Sequence, residues 1–504
     1  MRRLKPALLI TALLALLVSL PGPAVAEPKG TLSVGVEAET YSMDPLVAWM
    51  TYGMVMMRQI YDTPLDFNPD GTLKPRLATK WEMVDDLTWR FHFRKDVKFH
   101  NGYPFTAADV KFSLDRILDP ENKCRYRSRY STVKEVVLVD DYTLDIKTTT
   151  PDAVMPRRMA FFVRVVSKKW VEENGVEELR KHAMGTGPFK FVSWQRKDRL
   201  ILEANTEHYE TVPLVAKLVF RPIPEMGARM AELQSGGVQI ATNVPPFMMK
   251  TLEKNPDLEL QNVLSLRSMF MVLNTLNVEP LKNQKVRLAL NYAVDKEAII
   301  NGVCSGLGEP LGISAATQVQ GVDQSIKPYP YDPEKAKKLL AEAGYGDGFE
   351  LNLYSPTGRY PMDKEVVQAV ADQLAKVGIK CNVNVMETQK YFKEFIAKSL
   401  NGAFIIGHAL MLWDQGLLVS FVNPPASYCH YQNPEIEKLI HKMRSIMDQK
   451  ERYEVAHKIQ WMIHDEAPMI FLYNLENVYG VSKKVEGFKV RADDHMDLWK
   501  VSLK

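Results

Sequence analysis

Two adjoining stretches in the second half of the chain constrain the fold class most tightly. In "YDPEKAKKLLAEAGYGDGFELNLY", Asp332 is placed to cap a helix, and Pro333 takes its first position, where a missing N–H costs nothing. Ala336, Leu339, Leu340 and Ala343 form an apolar stripe, Gly344 supplies the stop, and an alternating strand follows. "MDKEVVQAVADQLAKVGIKCNVNV" repeats the arrangement, with Gly378 as the stop and a strand from Ile379. Helix then strand, twice over, predicts an α/β region. Cys381 falls in phase with Ile379, Val383 and Val385, which reads as a small residue on the buried face.

The first half is richer in short alternating strands. In "LTWRFHFRKDVKF", Trp89, Phe91 and Phe93 share one face, and Thr88, Arg90 and His92 the other. Asn101-Gly102 signals a turn. Thr106 is placed to cap a helix, with Asp109 in its first turn and Val110, Leu114 and Ile117 as its stripe. Near the C-terminus, helical stripes at about 434–447 and 450–466 precede "APMIFLY", a buried strand. A chain of 504 residues holds two or three domains. It contains no internal repeat and no low-complexity linker, which suits lobes joined by several short crossings.

The first 26 residues stand apart. "MRRLK" is a basic start, "PALLITALLALLVSL" an apolar run too short to span a membrane, and Ala24-Val25-Ala26 a small-x-small cleavage site. This is a cleavable signal peptide, so the mature chain is expected outside the cytoplasm. Without Arg2, Arg3 and Lys5, the full chain's 64 basic and 61 acidic residues become 61 and 61. A neutral protein lacks the electrostatic footprint of a nucleic-acid binder. Cys124, Cys304, Cys381 and Cys429 form no CxxC pair, so zinc and thioredoxin-like signals are absent, and spacing leaves any disulfide pairing open.

Catalytic patterns do not assemble. "GVCSG" puts Cys304 in a nucleophile-elbow pattern, but a helix precedes it where a strand is required. "MGTGPF" lacks the third glycine of a dinucleotide loop. His92 and His100 have no nearby ligand partners, and His457 and His464 share a helix face that suits packing. A secreted hydrolase built on Cys304 is the remaining catalytic alternative. The default is a binding protein without a cofactor.

From "SMDP" at 42–45 to the C-terminus, the chain resembles the extracytoplasmic solute-binding proteins of the peptide/nickel class, bacterial family 5, which feed ABC importers. The resemblance is carried by "IYDTPLDFNPDGTLKPRLATKWEMVDDLTWRFHFRKDVKFHNGYPFTAADVKFSLDRI", "MGTGPFKFVSWQRKDRLILEANTEHY", "LNTLNVEPLKNQKVRLALNYAVDKEAII" and "YPYDPEKAKKLLAEAGY", in that order. It implies an α/β clamshell of the type II periplasmic-binding-protein kind. The first lobe would comprise 27–274 and 471–504, with an extra subdomain at about 60–180; the second would comprise 275–470. A ligand would be buried between the lobes of a monomer, and the closed form would dock on an inner-membrane permease.

The resemblance also suggests contact residues. "LVAWMTYGM" resembles a ligand-contacting loop, implicating Trp49, Met50 and Tyr52, with core packing as the alternative. "FVRVVSKKW" resembles a segment bearing a ligand-contacting arginine, here Arg164, which could clamp a carboxylate. In "LMLWDQGLLVSFV", Trp413 and Asp414 stand where peptide-binding members place an aspartate for the ligand's ammonium, although Gln415 replaces the usual proline. A helix cap is the alternative for Asp414. His430, beside Cys429, is a candidate for a metal-chelate ligand, and His408 a weaker one. The expected ligand is a short peptide; a nickel or other metal chelate, an oligosaccharide or another organic solute is the alternative.

Overall fold

The structure is a computed structural model that describes residues 27–48, 50–414, 421–422 and 429–504. The proposed signal peptide and Trp49 lie outside the described residues. Among the described residues the main sheet has eleven strands, one of them the short Glu309–Pro310, which pairs with Met469–Ser482 off the main path. At its centre two long strands, Leu258–Leu273 and Met469–Ser482, pair antiparallel from Leu258 opposite Ser482 to Val272 opposite Met469. On one side of that pair the sheet continues through Ile240–Ala241, Thr31–Val36, Lys217–Pro222, Arg199–Ala204 and Phe189–Gln195. On the other it continues through Ala403–Ala409, Glu350–Pro356 and Lys380–Met386.

Each side carries parallel pairing. Thr31–Val36 runs parallel to Lys217–Pro222 and Ile240–Ala241. Glu350–Pro356 runs parallel to Lys380–Met386 and Ala403–Ala409. Parallel neighbours need long crossovers, and the helices Pro333–Glu342 and Asp363–Ala375 come where the alternation predicts them. Asp332 accepts from the Lys335 N–H at 2.9 Å, and Gly344 and Gly378 have φ of 85° and 89°. The later helices run Pro434–Ser445 and Gln449–Glu466. Cys381 departs from the expectation: it is only half buried and Val385 is exposed, because Lys380–Met386 is the edge strand of the sheet.

A separate four-stranded antiparallel sheet, ordered Ala78–Asp85, Thr88–Phe93, Thr143–Thr148 and Val133–Asp140, forms the extra subdomain. Phe91 and Phe93 are buried, while Arg90 grips Asp145 at 2.7 and 2.8 Å and His92 meets Glu82 at 3.0 Å. Helix Ala107–Leu118 opens on a capping box, in which the Thr106 N–H donates to Asp109 at 2.9 Å. All four cysteines are free thiols.

The glycine-rich "MGTGPF" also has its explanation here. A Cβ on Gly185 would lie 2.1 Å from the Ile60 carbonyl oxygen, and the Gly187 N–H donates to that oxygen at 2.8 Å. The motif lets two backbones touch at the end of helix Thr51–Ile60. Gly185→Ala is therefore expected to destabilise the protein by about 1–3 kcal/mol in chemical denaturation, the usual penalty of overpacking. Gly175→Ala, whose Cβ would meet nothing within 4 Å, should show only the smaller penalty of a positive φ.

Candidate ligand-binding cleft

In open α/β sheets, crevices form beyond the carboxyl ends of the strands. Glu37 directly follows Thr31–Val36, Thr242 follows Ile240–Ala241, and Arg359 lies just beyond Glu350–Pro356. These ends come from opposite sides of the long central pair, yet their side chains act on one another. Burial and a hydrogen bond with Tyr41 at 3.1 Å push the Tyr52 phenol up; Glu37 adds to this and Arg359 opposes it. Arg267, on the long strand, feels Arg359, Asp494 and Glu37 together, and burial pushes its guanidinium down.

The local sequence holds these groups in place. Asp363, at the start of a helix, accepts from the N–H groups of Gly358, Arg359, Tyr360 and Lys364 at 3.3, 2.9, 3.1 and 3.0 Å. That turn fixes the Arg359 backbone, and its half-buried guanidinium meets no carboxylate within ion-pair distance among the described residues. Arg267 donates to the Gly407 carbonyl at 3.2 Å and stands 3.9 Å from Asp494. Burial raises the Asp494 carboxyl to about 6, against the pull of Arg267; Asp493 and Glu37 raise it further, and a close hydrogen bond from Asn477 lowers it. Thr242 donates to Glu37 at 3.0 Å. Burial, then Arg129 and Arg267, push His408 down to about 3, so the imidazole is neutral.

Of the residues singled out in the sequence, Met50 stands at the N-cap of helix Thr51–Ile60 and is half buried, and Tyr52 is half buried and hydrogen-bonded to Tyr41. Asp414 is buried and engaged by Arg452, whose two terminal nitrogens reach its oxygens at 3.1 and 2.6 Å. Trp413 closes a seam between the two sides. Its ring lies against Gly71, where a Cβ would come within 2.4 Å of it, and its Nε1–H donates to Asp493 at 3.4 Å. Arg157 stitches the same seam, donating to the carbonyls of Gly71 at 3.0 Å and Leu412 at 2.9 Å and closely to Gln320. Arg164 is buried in a small chamber behind Phe161, away from the Arg267–Arg359 pair. His430 is fully buried in an aromatic cluster, stacked on Phe395 at 5.4 Å and edge-on to Phe404 at 4.8 Å. Among the described residues no group of three or more His, Cys, Asp or Glu is placed to hold a metal.

Comparison with known proteins supplies the context for this cleft. The family model for bacterial extracellular solute-binding proteins, family 5, middle part, matches residues 72–418. The chain belongs to this family. It is 30% identical over 486 residues to the glutathione-binding protein GsiB of Pectobacterium atrosepticum, covering 94% of this chain and 93% of that one. It is 29% identical over 466 residues to heme-binding protein A of Haemophilus influenzae, covering 86% and 84%. The solved structure of DppA from Helicobacter pylori in complex with the peptide STSA superposes with a TM-score of 0.83 at 28% identity, covering 94% and 98%. The protein is thus the substrate-binding component of an ABC importer, of an extracytoplasmic and non-catalytic class. The hydrolase alternative falls with that: Cys304 is buried and burial pushes its thiol up, the reverse of an activated nucleophile.

The Arg452–Asp414 pair makes a structural reading of Asp414 testable. Asp414→Ala leaves a buried guanidinium uncompensated and is expected to lower stability by about 3–5 kcal/mol. Replacing both partners, Asp414→Leu with Arg452→Met, should recover most of that loss in the same denaturant titration. Equal losses in the single and double variants would contradict the reading.

Proposed function

We propose that the protein captures a short peptide or a similar zwitterion, with Arg267 and Arg359 taking the carboxylate and Glu37 and Asp494 the ammonium. The observation that carries this reading is the meeting of two guanidiniums and two carboxylates near Tyr52, with no carboxylate within ion-pair distance of Arg359 among the described residues. A dipeptide-like solute supplies the matching charges at its two ends. Arginine grips a carboxylate through two parallel hydrogen bonds, and desolvation inside a closed cleft strengthens each contact. The relatives lend support: glutathione and the STSA peptide, named for two of them, are both peptides with a free ammonium and at least one carboxylate.

The capture movement we propose is closure about the long strand pair. Register shifts between Leu264 and Ser268 and between Met269 and Phe270 interrupt the ladder where the sheet passes from one side to the other. A lobe of 27–274 with 471–504 and a lobe of 275–470 would rotate there. Ligand contacts from both lobes exist together only when the cleft is shut, so binding shifts the population toward the closed form. The closed form would then engage a membrane permease outside the cytoplasm, after removal of the signal peptide near Ala26.

Titration calorimetry on protein stripped by unfolding and refolding tests the reading. Di- and tripeptides, glutathione included, are expected to bind, and Arg359→Ala to weaken them about 10- to 100-fold, the worth of a lost charge-assisted pair. Undiminished affinity in Arg359→Ala would remove Arg359 from the site. The Asp494 carboxyl, near 6, adds a pH signature. Above that pH it is ionised and attracts an ammonium; below it the charge is lost. Affinity should therefore rise about tenfold from pH 5 to 7.5, and Asp494→Asn should flatten the profile. A pH-independent wild type would exclude Asp494 as the ammonium partner.

A further inference from the structure

Three parallel strands end side by side at the cleft. Glu37 follows Thr31–Val36, which runs between Ile240–Ala241 and Lys217–Pro222. The residues that follow the two flanking strands, Thr242 with Asn243 and Ile223, therefore stand on either side of Glu37. One side chain joins them. Arg229, on helix Met226–Gln234, is buried; its Nε donates to the Thr242 carbonyl at 3.0 Å, one terminal nitrogen to the Ile223 carbonyl at 2.6 Å and the other to the Asn243 carbonyl at 3.4 Å. Gly35 makes room for its stem, since a Cβ there would lie 3.3 Å from Arg229 Cγ.

All of these hydrogen bonds go to carbonyls and none to a carboxylate. A buried guanidinium satisfied only by neutral acceptors is costly beside an apolar side chain of the same volume, so filling space does not account for it. Burial pushes its pKa down; Glu37 opposes this, ahead of Glu225. What the arrangement secures is the Thr242 hydroxyl. The Thr242 carbonyl is held by Arg229, and its N–H donates to the Gly35 carbonyl at 3.1 Å. With both backbone groups fixed, the hydroxyl reaches Glu37 at 3.0 Å and lies 3.4 Å from the Gly35 carbonyl.

We propose that Arg229 and Thr242 position the Glu37 carboxylate for the solute's ammonium. Arg229 is a positioning residue that acts through Thr242 and does not touch the solute. The inference rests on the proposed role of Glu37 as an ammonium partner. A glutamate left to itself loses rotamer freedom at each capture, and a charge-assisted hydrogen bond demands a defined geometry. A carboxylate already held by Thr242 keeps more of that bond as affinity.

Titration calorimetry with trialanine and N-acetyl-trialanine tests this, because acetylation removes the ammonium and leaves the carboxylate. The wild type is expected to prefer the free amine. Thr242→Val and Arg229→Met should each cut that preference about 5- to 10-fold, with the acetylated peptide still bound within about twofold of wild type. Thr242→Ser, which keeps the hydroxyl, should retain the wild-type preference. Equal losses for both peptides, the mark of a purely structural role, would overturn the proposal. Glu37→Gln separates the two levels. If it cuts the preference while Thr242→Val does not, the positioning role alone falls. If Glu37→Gln keeps the full preference, the ammonium role of Glu37 falls and the positioning role with it. Thr242→Val carries the test should Arg229→Met fail to fold.

Discussion

The antiparallel pairing of Leu258–Leu273 with Met469–Ser482 is the interaction on which the rest of the structure depends. Both strands are long, at 16 and 14 residues, and serve as centre to both sides of the sheet. Leu258–Leu264 lies opposite Glu476–Ser482, whose outer neighbour is Ile240–Ala241; Ser268–Val272 lies opposite Met469–Asn474 and also pairs with Ala403–Ala409. A continuous ladder would make one stiff sheet. Breaking the register between Leu264 and Ser268 removes hydrogen bonds where the two sides meet and leaves a place to bend. Arg267 sits in that break, so the residue proposed to grip the solute is also carried by the joint.

From this joint the cleft follows. Parallel strands on each side send their carboxyl ends, and the turns beyond them, into one space. Glu37 and Thr242 come from one side and Arg359 from the other, while Arg267 and Asp494 belong to the middle. The seam at Trp413, Gly71 and Arg157 holds the sides together farther out. A small cavity of about 20 Å3 remains near the joint, where Asn243 and Val244 face Leu307 and Met362. The cleft is thus framed by contacts that involve no solute.

Much of the fold was legible because local punctuation and global architecture agree. Asp332, Pro333 and Gly344 bound a helix by chemistry confined to a few residues, and the aromatic alternation in Thr88–Phe93 survives in the subdomain sheet. Cys381 was misplaced because the same alternation cannot tell an edge strand from a central one. The site was less legible. A carboxylate offered to a ligand reads the same as one offered to an arginine 38 positions later, which is where Asp414 finds Arg452. Arg267 and Arg359 carry no local signal: one is a charge in a long strand, the other a turn residue. The sheet brings them together, because Glu350–Pro356 pairs with Ala403–Ala409 and that strand pairs with Leu258–Leu273. The family resemblance pointed to the cleft in general, while the partners of individual side chains needed the tertiary structure.

The most direct test of this account is small-angle X-ray scattering of the stripped protein with and without a saturating tripeptide. Closure about the central strands calls for a smaller radius of gyration when the peptide is bound, with no change in mass. Superimposable curves, with calorimetry showing the peptide bound, would contradict a hinge at the register break and the division of the site between two moving lobes.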